Sequence, residues 1–270
     1  MSYPCLSHVN QVAGRCRAWW GSVMDWVRDF YSTTGHWWGA AEGRITERDH
    51  RRVEELHRHA GRTTPMRVLE LGSGYGTTAA ALANAGHAVT AVEISDRLAY
   101  RVPHDGPGTV EAVNDDFYAV RLTGRFDAVC YYNGFGIGAD ADQRRLLKRI
   151  ADEWLADDGV ALIDVYNPFV WARWDGDEEH RLPDPSRGYA HELRERTTFD
   201  PVTCTAADTW WDVAHPDVKI TQTLRCYTPA DLLLLLEGTG LAVASIGATG
   251  RDLLDNRYEY LVALRRRGAS

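Results

Sequence analysis

Three alternate glycines, Gly72, Gly74 and Gly76, follow the apolar run Val68-Leu69-Glu70-Leu71 and precede Thr77-Thr78 and an alanine-rich stretch. Glycine allows tight turns and puts no side chain in a ligand's path. A helix starting just after it offers unpaired N–H groups, so the pattern can hold a polar ligand against backbone. A dinucleotide fingerprint needs the spacing G-x-G-x-x-G. Here the third glycine comes one residue early, and an acid, Glu70, stands two before the first; both argue against NAD. Glu93 lies about 20 residues past the first glycine, where open α/β sheets place an acid on ribose hydroxyls. In Asn114-Asp115-Asp116-Phe117, a carboxylate can accept from an adenine amino group while Phe117 packs the ring. Asp116 is the better placed, because it directly precedes the aromatic. Tyr131-Tyr132-Asn133-Gly134 adds a further polar-aromatic turn, with Asn133 set to meet an amino-acid end of the ligand.

These groups need a common edge, and the elements between them supply one. Apolar strands are predicted at 66–71, 87–92, 110–113, 126–132 and 160–166, with helices at 77–85, from 96, and at 140–156. Strands alternating with helices call for a parallel sheet covered on both faces. Residues 192–199, 202–211 and 218–227 read as three strands of an antiparallel meander, turning at Asp200-Pro201 and His215-Pro216-Asp217. The alternation resumes with a helix at 229–237 and strands at 241–247 and 258–264. Ahead of the sheet, Trp19, Trp20, Val23, Trp26, Val27 and Phe30 share helical spacing, and Thr46 is placed as the N-cap of a second helix.

At Glu70-x-Gly72-x-Gly74-x-Gly76, Glu93 and Asp115-Asp116-Phe117, each after a successive strand, the chain resembles the class I S-adenosylmethionine-dependent methyltransferases. Leu224-Arg225-Cys226-Tyr227-Thr228-Pro229-Ala230-Asp231-Leu232, followed by Gly240-Leu241, is similar to small-molecule members of that family. The resemblance covers 66–166 and 224–265. It implies an α/β, Rossmann-like, seven-stranded, mostly parallel sheet whose last strand is antiparallel. Residues 65–166 and 228–270 would form the cofactor-binding core, 1–64 an N-terminal helical lid and 167–227 an antiparallel β insert. It also implies S-adenosylmethionine as cofactor, with Gly72 and Gly74 at the methionine moiety, Glu93 at the ribose and Asp116 at the adenine. The expected cofactor set is Glu70, Gly72, Ser73, Gly74, Tyr75, Glu93, Ile94, Asp115, Asp116, Phe117, Asn133 and Trp38.

Nine of the ten tryptophans lie in the N-terminal segment and the insert; only Trp154 belongs to the parallel core. Most of them are expected to fasten these additions to the sheet, and a few to line a water-poor pocket, since aromatic faces attract a sulfonium or an amine. Residues 30–39 are read as a loop between helices acting as a lid, with Tyr31 and Trp38 nearest the cofactor. Tyr166 and Asn167, after the fifth strand, join Tyr31 as the substrate-side catalytic candidates. His36, His180, His191 and Asp164 are candidate bases, needed only for an acceptor that arrives protonated. No metal set stands out; His57-x-His59 and Asp49-His50 are read as a solvated helix face.

The 30 Lys+Arg against 38 Asp+Glu give a net charge of −8, which argues against a general nucleic-acid partner. The longest apolar run, 232–236, is far short of a membrane span. Five cysteines without a C-x-x-C, and no visible signal peptide, fit a reducing, cytoplasmic setting. The expected partner is a small-molecule substrate, with a homodimer admitted and specialised metabolism as the setting. The function expected is methyl transfer to a nitrogen or oxygen of that substrate. Two alternatives stay open: a cyclase of the same fold releasing methylthioadenosine and a small cyclic amino acid, and a non-catalytic S-adenosylmethionine-binding subunit.

Overall fold

The computed structural model describes residues 25–38, 43–248, 250–255 and 257–268. The helical spacing over Trp19, Trp20 and Val23, and Cys5 and Cys16, lie outside the described residues.

Two sheets organise the chain. The larger has seven strands: β1 (Arg67–Leu71), β2 (Ala88–Glu93), β3 (Thr109–Asn114), β4 (Phe126–Phe135), β5 (Leu155–Tyr166), β10 (Leu241–Ile246) and β11 (Glu259–Arg266). Their spatial order is β10-β11-β5-β4-β1-β2-β3. β11 runs antiparallel to both its neighbours, and the other pairings are parallel. The central strands are buried on both faces, as a parallel sheet requires. Leu69, Leu71 and Val129 belong to one apolar cluster, and Val68, Val89 and Leu162 to the other. The strand order reverses between β1 and β4, and a ligand crevice forms at such a point, outside the carboxyl ends of the strands.

Helix α2 (Glu47–Ala60) begins at Thr46 as expected and ends at the left-handed Gly61. Its Asp49, read from sequence as solvated, is 1% exposed. Asp49 accepts from the Thr46 N–H and hydroxyl and from the hydroxyls of Thr77 and Thr78. One carboxylate thus caps α2 and ties it to α3 (Thr77–Asn84), the helix after the glycine loop. His57 is likewise no solvated group, since its Nε2 lies 2.9 Å from His87 Nε2. α4 (Asp140–Arg149) is shorter than the stretch 140–156 suggested. A wider helical turn, Ile150–Trp154, follows and buries Ile150, Ala151 and Trp154 together. The helix expected from 96 is a single tight turn, Asp96–Tyr100. A short helix over Arg251–Asp255 was not foreseen.

The smaller sheet has four antiparallel strands in the order β6 (Glu178–Arg181), β7 (Leu193–Asp200), β8 (Thr205–Asp212), β9 (Lys219–Arg225). Sequence alone gave three. β6, a charged segment with no apolar alternation, pairs with β7 over four residues because backbone, not side-chain polarity, makes the ladder. In β8 the residues Ala206, Asp208, Trp210 and Asp212 are buried in strict alternation, which gives the sheet one inner face. Helix α1 (Asp25–Trp38) lies on that face: Phe30 packs with Leu193 and Trp210, and Val27 with Ile94, Tyr166 and Leu224.

Residues 30–38 are therefore the end of a helix and not a loop. The Ser32-Thr33-Thr34-Gly35 run reads as a turn, yet the Thr34 hydroxyl bonds back to the Phe30 carbonyl at 2.7 Å. Gly35 sits where a Cβ would come within 3.0 Å of the Arg97 side chain. The glycine serves this close approach, and tertiary packing overrides its weak helix propensity.

Candidate active site

A cavity of about 660 Å³ opens at the carboxyl edge of the large sheet, between the glycine loop and the lid made by α1 and the small sheet. That volume falls within the range of small-molecule sites, about 300–1,000 Å³.

One half is built by the loops after β1, β2 and β4. Gly72 and Gly74 take φ of +64° and +55°, a region where other residues cost about 1–2 kcal/mol. A Cβ on Gly74 would meet nothing within 4 Å, so open space adjoins this backbone. The loop is clamped to β2: the Ser73 N–H bonds the Val92 carbonyl, and the Gly74 N–H bonds Glu93 Oε2 at 2.8 Å. Glu93 Oε1 accepts from the Ser95 N–H and hydroxyl at 2.8 and 2.6 Å. Ile94 and Phe117 line the same half. Phe117 meets Tyr131 edge-on at 5.2 Å. Tyr131 in turn explains Gly134, where a Cβ would fall 2.5 Å from its ring.

In this half, Ser73 Oγ and Glu70 Oε2 are buried with no hydrogen-bond partner among the described residues. Glu70 is 4% exposed. Burial pushes its carboxyl up to about 8, against the pull of the nearby Arg52 charge. Arg52 also lines the cavity, lies 4.3 Å over the Tyr132 ring, and donates to Thr78 and Asp164 at 3.0 and 3.3 Å. Burial raises the Asp164 carboxyl, while Arg52 opposes it. Asn133 lines the cavity in a left-handed conformation, φ +57°, that asparagine tolerates.

Asp115 and Asp116 do not line the cavity. Asp115 is exposed and accepts from the Asp116 N–H, and Asp116 accepts from the Tyr118 N–H at 2.7 Å. They shape the turn that presents Phe117. Asn167 is also a structural group: its Oδ1 caps the helical turn Pro168–Trp171, and its Nδ2 donates to the Leu253 and Arg257 carbonyls. Asn167 is 1% exposed and outside the cavity lining, so it holds the backbone and does not face a ligand. Tyr166 does line the cavity, edge-on to Trp171 at 5.7 Å. His36, His180 and His191 pair with Asp96, Glu192 and Asp212 and lie outside the lining.

The lid differs most from expectation. Tyr31, Trp38 and Tyr75 all line the cavity, but each ring presents a face to the guanidinium of Arg97, at 4.9, 5.0 and 5.3 Å. The buried Arg97 also donates to the Tyr31 carbonyl at 2.8 Å and the Thr34 hydroxyl at 2.7 Å. The expected cage for a ligand cation thus already holds a protein cation. Trp37 packs on the small sheet instead. The Tyr31 hydroxyl donates to Gln222 Oε1 at 3.1 Å, and Gln222 donates to Asp208 at 3.0 Å. Burial raises the Tyr31 phenol, which keeps it a donor at neutral pH. Arg97, Arg52 and Gln222 carry no sequence signal, because nothing in their spacing tells an inward polar side chain from a surface one.

Residues 45–246 match a family model described as a methyltransferase domain. A comparison with curated protein sequences gives no match. Among solved structures, the chain is similar to the CcbJ methyltransferase from Streptomyces caelestis, at 21% identity and a TM-score of 0.67, covering 91% of this chain and 98% of that one. It is also similar to CalS10, an amino pentose methyltransferase from Micromonospora echinaspora, at 16% identity and a TM-score of 0.55, covering 98% and 100%. The sugar N-methyltransferase KedS8 from Streptoalloteichus aligns at 18% identity and a TM-score of 0.55, covering 99% and 96%. With the glycine loop, the seven-stranded sheet and a family match over most of its length, the chain belongs to the S-adenosylmethionine-dependent methyltransferases of class I fold.

Proposed function

We propose that this chain transfers a methyl group from S-adenosylmethionine to a nitrogen or oxygen of a small molecule held beneath α1 and the small sheet. The observation that carries this reading is a single cavity lined by the glycine loop at one end and by Tyr31, Trp210 and Gln222 at the other. The cofactor fits the residues present. Glu70 Oε2 and Ser73 Oγ are buried polar atoms with no hydrogen-bond partner among the described residues, and the Gly74 backbone adjoins open space. Gly72, Gly74, Glu70 and Asn133 would hold the methionine end, Glu93 the ribose, and Ile94 and Phe117 the adenine. A carboxylate offers about four lone-pair sites, and Glu93 uses three on the protein, which leaves room for one ribose hydroxyl.

When bound, S-adenosylmethionine supplies an electrophilic methyl group on sulfur. The chain's own residues position and dry the site. Arg97 latches α1 over the crevice, and Tyr166 and Trp171 wall its side. Tyr31, oriented through Gln222 and Asp208, lines the cavity between the two sheets. Holding an acceptor in line lowers the barrier by several kcal/mol, on the order of the 7–11 available to well-oriented reactions. The sugar and glycopeptide N-methyltransferases among the structural relatives support an acceptor nitrogen on a sugar-bearing molecule. Incubation with deuteromethyl-labelled S-adenosylmethionine and a metabolite extract, followed by mass spectrometry, tests the reading. S-adenosylhomocysteine and a labelled acceptor should appear together. Methylthioadenosine accumulating without any acceptor would refute it.

A further inference from the structure

The wall that the small sheet gives the cavity carries an unusual pair. Glu179 on β6 and Glu195 on β7 stand directly opposite each other in the antiparallel register, and both line the cavity. Like charges directly opposite one another destabilise a sheet. Neither carboxyl has a hydrogen bond or ion pair among the described residues. Trp210, the β8 partner of Glu195, forms the adjoining wall. Arg181 lines this wall too, but its guanidinium lies 5.1 Å over the Trp210 ring. Glu70 and Ser73, each more than nine-tenths buried, line the same cavity and carry oxygens with no hydrogen-bond partner among the described residues.

We propose that Glu195, backed by Glu179 and walled by Trp210, is the subsite that receives the acceptor as a protonated amine. This rests on the methyl-transfer reading and names the acceptor's chemical class. An ammonium between the two carboxyls relieves their repulsion, and the indole face adds a cation–π contact. Burial first, then Asp208 of β8 and Glu179 of β6 push the Glu195 carboxyl up to about 8, while Arg181 pulls it down. The free protein therefore holds a proton there at neutral pH, and an incoming ammonium displaces it to solvent. The ionised carboxylate can then serve the reaction. An N–H bond of the ammonium breaks, the proton passes to a Glu195 oxygen, and the electron pair stays on nitrogen as a free nucleophile.

Isothermal titration tests this on the full chain saturated with S-adenosylhomocysteine. The probes are the methyl glycoside of glucosamine against methyl glucoside, and phenethylamine against phenethyl alcohol. At least one amine should bind tenfold or more tightly than its alcohol at neutral pH. Titrations in buffers of different ionisation enthalpy should show close to one proton released per amine bound. Glu195→Gln should abolish both the preference and the proton release while S-adenosylhomocysteine still binds; Glu195→Asp should keep part of each. Absence of an amine preference in both pairs would overturn the proposal, as would an unchanged preference in Glu195→Gln. Failure of S-adenosylhomocysteine to bind the unaltered protein would instead strike the methyl-transfer reading beneath it.

Discussion

Arg97→Met removes the latch while leaving an apolar side chain of similar length among the three rings. Two charged hydrogen bonds are lost, to the Tyr31 carbonyl and the Thr34 hydroxyl. Each is worth about 1.5–3 kcal/mol. The three ring contacts add about 0.5–1 kcal/mol apiece when the cation goes, offset by methionine's own contacts with aromatics of about 0.3–1.5 kcal/mol. The low end of these ranges leaves a net loss of about 3 kcal/mol, the least to be expected. It falls on α1, because both hydrogen-bond partners lie on that helix. At 1.4 kcal/mol per factor of ten, amides in Asp25–Trp38 should exchange about a hundredfold faster. Those of β1 and β4 should keep their protection. Hydrogen exchange with mass spectrometry reads both sets at once. Arg97→Lys keeps the charge but loses the planar fork, and should fall between. Unchanged exchange in α1 would refute the latch. An equal rise in α1 and the central strands would refute it too, since that marks loss of the whole fold.

Glu93→Gln sets an amide donor against the Gly74 N–H and should weaken S-adenosylhomocysteine about ten- to a hundredfold by calorimetry; an unchanged dissociation constant would remove Glu93 from the site. Gly134→Ala drives a methyl to within 2.5 Å of the Tyr131 ring and should lower stability to urea by about 1–3 kcal/mol, and a variant as stable as the parent would contradict that packing. Glu70 titrates near 8 in the fold but near 4.3 in an unfolded chain, so the native state binds the extra proton between those values. Stability of the ligand-free protein should therefore fall as pH rises through about 4 to 8, and Glu70→Gln should flatten that slope. A melting temperature rising across the same window, and unaltered by Glu70→Gln, would speak against it.

The parallel core was legible because its signals are local. Apolar runs of strand length, an alanine-rich helix and three glycines at fixed spacing are each set by nearest neighbours, and they gave the sheet, its loop and Glu93. The same locality explains the boundary errors. The strand β6 carries no apolar alternation, because it is an edge strand held by backbone pairing to β7 alone. The end of α1 looks like a turn, because Gly35 is there for Arg97, 62 positions later in the chain.

Sequence by itself determined the fold class and the glycine loop with the acid Glu93 beside it, where residue type follows from spacing at strand ends. Only the tertiary structure decided the rest of the site. It turned Arg97 inward beneath three rings, engaged Asn167 with the Leu253 and Arg257 carbonyls, and set Glu179 beside Glu195 on one wall of the cavity. Each depends on elements far apart in the chain meeting at one edge. A side chain's meaning there is set by what packs against it, which no local pattern encodes.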